Sequence, residues 1–123
     1  MATAKELQNL VDRVRSGALP TGDVRDLLHH QSPLVRANAL EALVAPARYD
    51  EAVLDQLIAA ASDPVNKAPL MGTTSVAHVA VRCILSVGTD MALEAARALV
   101  NAWLEPNRGD LIWYLNSEGL EVW

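Results

Sequence analysis

Three histidines, a single cysteine and a scatter of carboxylates are the side chains of this 123-residue chain that could do chemistry. His29 and His30 stand side by side, which invites a metal reading. Adjacent side chains on a helix point about 100° apart, so one ion is not easily held by both. No His-Glu-x-x-His motif or Cys/His set accompanies them, and histidine suits the dipole at a helix end. A structural or solvated role is expected. His78 and Cys83 pose the second question, because a thiol beside an imidazole is how a cysteine nucleophile is built. Five residues apart on one helix, they sit roughly 140° round from each other, which is poor geometry for that hydrogen bond. Cys83 is therefore expected as a small core residue, and His78 as a partly buried, hydrogen-bonded side chain. No catalytic, metal or cofactor site is expected.

The carboxylates carry more information. Glu51 and Asp55 are four residues apart, as are Asp90 and Glu94, so each pair shares one side of a helix. Arg97 and Asn101 continue the second of these sides. If the two helices stack, Glu51, Asp55, Asp90 and Glu94 form one acidic ridge with Arg97 as its cation. Such a ridge favours a partner rich in Lys or Arg, through on-rate and orientation more than affinity. The plainer alternative is a charged stripe that only solvates an exposed helix, since isolated surface charges contribute little. Small residues flank the ridge: Ala52 and Ala59 on one helix, Ala95, Ala98 and Ala102 on the other.

The elements that must position these residues are helical almost throughout. Leu7, Leu10, Val11 and Val14 form one stripe, predicting a first helix from about Thr3 to Arg15. Gly17 and Pro20 end it, and Asp23 to His30 reads as a short second helix. Ser32 stands at an N-cap with Pro33 at the first helical position, where its missing N–H does no harm. That helix is expected to run to Val44 and to stop at Pro46. Asp50 opens the next, with Val53, Leu54, Leu57, Ile58 and Ala61 inward. Asp63-Pro64 repeats the start signal, but Pro69 and Gly72 in "VNKAPLMGTTS" argue against a regular element there. Helices resume from about Thr74 to Gly88 and from Asp90 to Leu104. A short one is expected from Asp110, with Gly119 as its stop.

The stretch "SPLVRANALEALV", Ser32 to Val44, has an echo. Moved forward by 41 positions, Val35 meets Val76, Ala39 meets Ala80, Leu40 meets Val81, and Leu43-Val44 meets Ile84-Leu85. The following helices align at a shift of 39, placing Leu54 on Leu93, Glu51 on Asp90 and Asp55 on Glu94. Two helical pairs repeating at this length, with almost no strand signal, predict stacked hairpins. The expected fold is all-α, a short α-solenoid of about six to seven helices. It divides into an N-terminal pair (1–30), two repeats (32–62 and 74–104) and a C-terminal cap (106–123).

"SPLVRANALEAL" resembles the short HEAT-like repeat found in subunits of phycobilin lyases and in small scaffold proteins. Pro33, Val35, Arg36, Ala39, Ala42 and Leu43 carry the likeness, which covers roughly residues 20 to 105. The copy at Val76 has Ala77 in the arginine position. The resemblance implies an armadillo/HEAT-type solenoid and a structural Arg36 paired with an acidic residue of an adjacent turn, Asp63 or Asp26. It is far less specific for function, since one fold hosts many.

Bulk properties narrow the function classes. At 51% hydrophobic residues the chain can bury a core, which excludes a disordered protein. One cysteine rules out an internal disulfide, and the opening "MATAKELQNLV" reads as a polar helix start, so a cytoplasmic protein is expected. A net charge of −5 with scattered Lys and Arg disfavours nucleic acid, and no apolar run reaches the length of a membrane span. The insertion at 65–75, with Lys67, Leu70 and Met71, is either a binding loop or a packed connection. Of five aromatics, all but Tyr49 fall late: Trp103, Trp113, Tyr114 and Trp123. They either cap the open end of the stack or form an interface, including a homodimer through Trp113, Tyr114 and Trp123.

The expectation is a non-catalytic protein–protein binding or adaptor module without a cofactor. Its partner is another protein with a basic surface, met through Glu51, Asp55, Asp90, Glu94, Arg97 and Asn101. The alternatives are a bilin-lyase-like or chaperone-like subunit acting on a chromophore protein, or an acidic immunity-type inhibitor of a basic toxin.

Overall fold

The computed structural model describes residues 3–72 and 74–120. Eight α-helices account for most of them: α1 (Ala4–Arg15), α2 (Thr21–Asp26), α3 (Pro33–Ala42), α4 (Val44–Ala47), α5 (Glu51–Ser62), α6 (Val76–Val87), α7 (Asp90–Ala102) and α8 (Asn107–Ser117). Single 3₁₀ turns occupy Leu27–His29 and Pro64–Lys67, and two short antiparallel strands, β1 (Pro69–Met71) and β2 (Thr74–Ser75), form a hairpin. The mostly helical character agrees with the all-α expectation; the small hairpin adds to it.

Capping explains most of the boundaries. The side chains of Thr3, Ser32, Asp50, Ser75 and Thr89 each accept a backbone N–H from the first turn of the helix they precede. These bonds satisfy donors that the helix itself leaves orphaned. Three expected boundaries are corrected. Pro46 does not stop a helix: α3 already ends at Ala42, and Pro46 lies within α4, where the first turn needs no N–H from it. The 65–75 segment contains regular elements, a 3₁₀ turn and two short strands. Pro69 stands first in an edge strand where its missing donor is harmless, and Gly72, at φ 60°, makes the reversal. Finally, α8 begins at Asn107, so Asp110 lies in its first turn instead of capping it. The break between α3 and α4 raises the helix count to eight among the described residues, above the six or seven expected.

The core is built around α6. Ten of its twelve residues are buried, from Val76 to Val87 with only Arg82 and Ser86 left outside. A helix apolar on nearly every side must be surrounded, and α6 packs against α3, α4, α5, α7 and α8. Helix α3 also packs on α1, and α5 on α7. Four of the matched pairs are buried in both copies, Val35 and Val76, Ala39 and Ala80, Leu40 and Val81, Leu43 and Ile84, whereas Val44 and Leu93 are only half-buried. Cys83 belongs to this core, and burial pushes its thiol up to about 12.

Arg36 is buried, with other partners than expected. Its guanidinium donates to Asn66 Oδ1 at 2.9 Å and to the carbonyls of His30 and Gln31 at 2.7 and 3.0 Å. Asp63 is committed elsewhere, its carboxylate accepting the Val65 N–H at the start of the 3₁₀ turn. That turn brings Asn66 inward, so a neutral amide takes the place proposed for a carboxylate.

Candidate functional site

Two of the concave places on this fold bear on the residues singled out by the sequence. The larger is a cavity of about 470 Å³ between the β1–β2 hairpin and the corner where α7 turns into α8. Pro69, Ala102, Trp103 and Leu104 supply its apolar wall; Lys67, Ser75, His78, Asn107 and Asp110 supply its polar groups.

His78 is the most constrained of these. It occupies the third position of α6 and completes a capping box with Ser75. Its Nδ1 accepts the Ser75 backbone N–H at 3.0 Å and lies 2.6 Å from Ser75 Oγ, which in turn accepts the His78 N–H at 3.3 Å. An accepting Nδ1 assigns the remaining proton of the neutral ring to Nε2. Trp103 and Tyr114 meet the imidazole edge-on, with ring centroids 5.2 and 5.5 Å away. Burial holds the His78 pKa below its ordinary value, with the negative charge of Asp110 pulling the other way. Ser75 and His78 lie within bonding distance, yet the hydroxyl is occupied by the cap and is 2% exposed. Its role in the structure is to cap the first turn of α6.

Behind His78 a polar chain ties three helices together. Arg82 donates through Nε to Tyr114 Oη at 2.8 Å and forms an ion pair with Glu41. Burial opposes the Arg82 charge, but the bonds to Tyr114 and Glu41 outweigh it and hold the guanidinium above its usual range. Glu41, Arg82 and Tyr114 come from α3, α6 and α8. In front of His78, Lys67 places its ammonium 4.7 Å from the centroid of the Trp103 ring, within reach of a cation–π attraction.

The second place is an open groove of about 320 Å³ where the chain enters α5 and α7. Asp50, Glu51, Thr89 and Asp90 line it together with Arg48, Tyr49, Leu54 and Met91. Tyr49 is 91% exposed and Met91 55%. Arg48, also in the lining, donates to the carbonyls of Ser86 and Val87.

The six residues expected to meet a partner, Glu51, Asp55, Asp90, Glu94, Arg97 and Asn101, are all exposed. Glu51 and Asp90 share the groove; Asp55 and Glu94 lie one turn further along α5 and α7, outside its lining. Asn101 Oδ1 accepts from Arg108 at 3.3 Å. The C-terminal aromatics divide. Trp113 is 68% exposed, whereas Tyr114 is buried against His78 and Arg82. Neighbouring helical positions point about 100° apart, so Tyr114 cannot join Trp113 in one surface patch; Trp123 lies outside the described residues.

No sequence spacing links Lys67, Trp103, Asn107 and Asp110, which tertiary packing brings to one cavity. The Ser75-x-x-His78 spacing is the one local signal, a capping box with histidine in place of the usual Glu or Gln. His30 has a comparable local role, its Nδ1 accepting the Ser32 N–H at 2.9 Å. Among the described residues no group of three or more His, Cys, Asp or Glu side chains is placed to hold a metal ion, and no helix is long and apolar enough to cross a membrane. Compared with known proteins, the chain matches no family model, no curated protein and no solved structure.

Proposed function

We propose that the chain is a short stack of HEAT-like helical hairpins that works in the cytoplasm as a non-catalytic protein-binding module. Its partner carries Lys or Arg beside an apolar side chain. One observation carries this reading: Glu51 and Asp90, equivalent in the internal repeat, line a single groove with the exposed Tyr49 and Met91. The stacked arrangement is supported by α3 packing on α6 and α5 on α7, the two pairings that equivalent repeats would make. Aromatic and methionine side chains are enriched at interface cores, and carboxylates beside them select a basic partner. The non-catalytic part is supported by the condition of the nucleophile candidates. The Cys83 thiol is buried with a raised pKa, and the Ser75 hydroxyl is held in a cap.

The test uses the chain as bait in an extract of its native host, with bound proteins identified by mass spectrometry. A basic protein is expected on the unaltered chain and absent from Glu51→Lys/Asp90→Lys, while both baits melt at the same temperature. A reversal further along the strip, Asp55→Lys/Glu94→Lys, should weaken capture in the same direction. Identical recovery on all three baits would sink the groove as the docking site.

A further inference from the structure

We infer that the cavity beside the β1–β2 hairpin is a binding site for a small zwitterion carrying an apolar group, an α-amino acid by chemical class. This inference is independent of the protein-binding groove, which shares none of its lining residues. At about 470 Å³ the cavity falls in the size range of small-molecule sites, roughly 300–1,000 Å³.

The decisive feature is charge. Lys67, at the end of the 3₁₀ turn, and Asp110, in the first turn of α8, both line the cavity, yet they form no ion pair with each other. The Lys67 ammonium lies over the Trp103 ring instead. Two opposite charges thus face one space without neutralising each other, and a ligand of both signs can bridge them.

The remaining groups fit the same ligand. His78 is only 6% exposed, and its Nδ1 is committed to the cap. Nε2–H is the polar atom this ring has left, and no partner for it occurs among the described residues. Asn107 offers both a donor and an acceptor. A ligand carboxylate is placed between Lys67 and Asn107, its ammonium at Asp110, and its side chain against Trp103, Leu104 and Pro69. Trp103 is held edge-on by His78, so this wall is formed before a ligand arrives. Lys67 is exposed and can swing from the ring to a carboxylate.

The experiment is titration calorimetry on the full chain at pH 7.5 with four probes. L-phenylalanine and L-leucine carry both charges; 3-phenylpropionate and 2-phenylethylamine keep the ring and lose one charge each. At least one amino acid should bind with saturating one-to-one heat. Both single-charge analogues should bind at least tenfold more weakly than L-phenylalanine. Lys67→Met should remove the advantage of L-phenylalanine over the amine, and Asp110→Asn its advantage over the acid. In the unaltered chain, saturation should also shift the His78 ring proton signals in NMR, a readout that needs no variant. Equal binding of the three phenyl probes would reduce the site to an apolar pocket. Binding of the acid alone, or of the amine alone, would make it a single-ion site. Silence from both amino acids would overturn the inference outright.

Discussion

Arg36 is a buried cation held by neutral groups, and that makes it sensitive to substitution. Its three recorded bonds go to an amide oxygen and two carbonyls. Removing the guanidinium leaves the buried Asn66 oxygen without its donor and frees the carbonyls of His30 and Gln31. Arg36→Met, which keeps most of the side-chain volume, should therefore cost about 2–3 kcal/mol of stability, read from urea unfolding. A structural role for Arg36 was implied by the HEAT-like resemblance, but its partner was not. Asn66 is 30 positions away, and only the 3₁₀ turn after α5 carries it inward. His78 sets a pH dependence of definite sign. Its folded pKa lies below the 6.5 of an unhindered imidazole, because burial disfavours the charged ring. Above that value both folded and unfolded chains hold the ring neutral, and its contribution is fully present. As pH falls through 6.5 the unfolded chain takes up a proton that the folded chain refuses, so stability drops until the folded pKa is reached. His78→Gln keeps a capping acceptor at the third position of α6. It should flatten the fall in unfolding midpoint between pH 7.5 and 5.5 relative to the unaltered chain; an unchanged slope would mean that other groups set it.

Element boundaries show where local chemistry decides and where it does not. The caps at Ser32 and Asp50 could be placed from sequence because a side-chain acceptor ahead of an apolar run acts within one turn. The split between α3 and α4, and the pairing of β1 with β2, depend on packing against α6 and on a reversal at Gly72, neither of which a window of residues contains. The cavity was illegible for the same reason: Lys67, His78, Trp103 and Asp110 come from four segments that tertiary packing brings together. Glycines give a direct check on this distinction, because their effect depends on the backbone they occupy. Gly88 ends α6 at φ 77°, in the left-handed region, although a Cβ there would meet nothing closer than 3.9 Å. Gly88→Ala should then destabilise by about 1–2 kcal/mol from conformation alone. Gly22 lies inside α2 in ordinary helical conformation with open space where a Cβ would go. Gly22→Ala should stabilise by about 0.5–1 kcal/mol. Thermal melts of the two variants should shift in opposite directions.

At the scale of the whole molecule, charge and shape make separate contributions that kinetics can tell apart. The chain carries a net charge of −5, and its proposed docking groove places Glu51 and Asp90 beside Tyr49 and Met91. Each Glu→Lys or Asp→Lys change adds two positive charges, so the double reversal takes −5 to −1. Long-range attraction to a basic partner acts mainly on the encounter, and salt screens it over about 10 Å at 0.1 M. Contacts made by exposed Tyr49 and Met91 act after docking, on the lifetime of the complex. For a partner recovered with the chain, Glu51→Lys/Asp90→Lys should lower the association rate and flatten its dependence on salt between 50 and 500 mM. Tyr49→Ala/Met91→Ala should leave association nearly unchanged and speed dissociation at least tenfold. Surface plasmon resonance at several salt concentrations measures both rates on the same samples. If charge reversal instead changed only dissociation, the carboxylates would be acting as close contacts and the overall negative field would have no part in finding the partner.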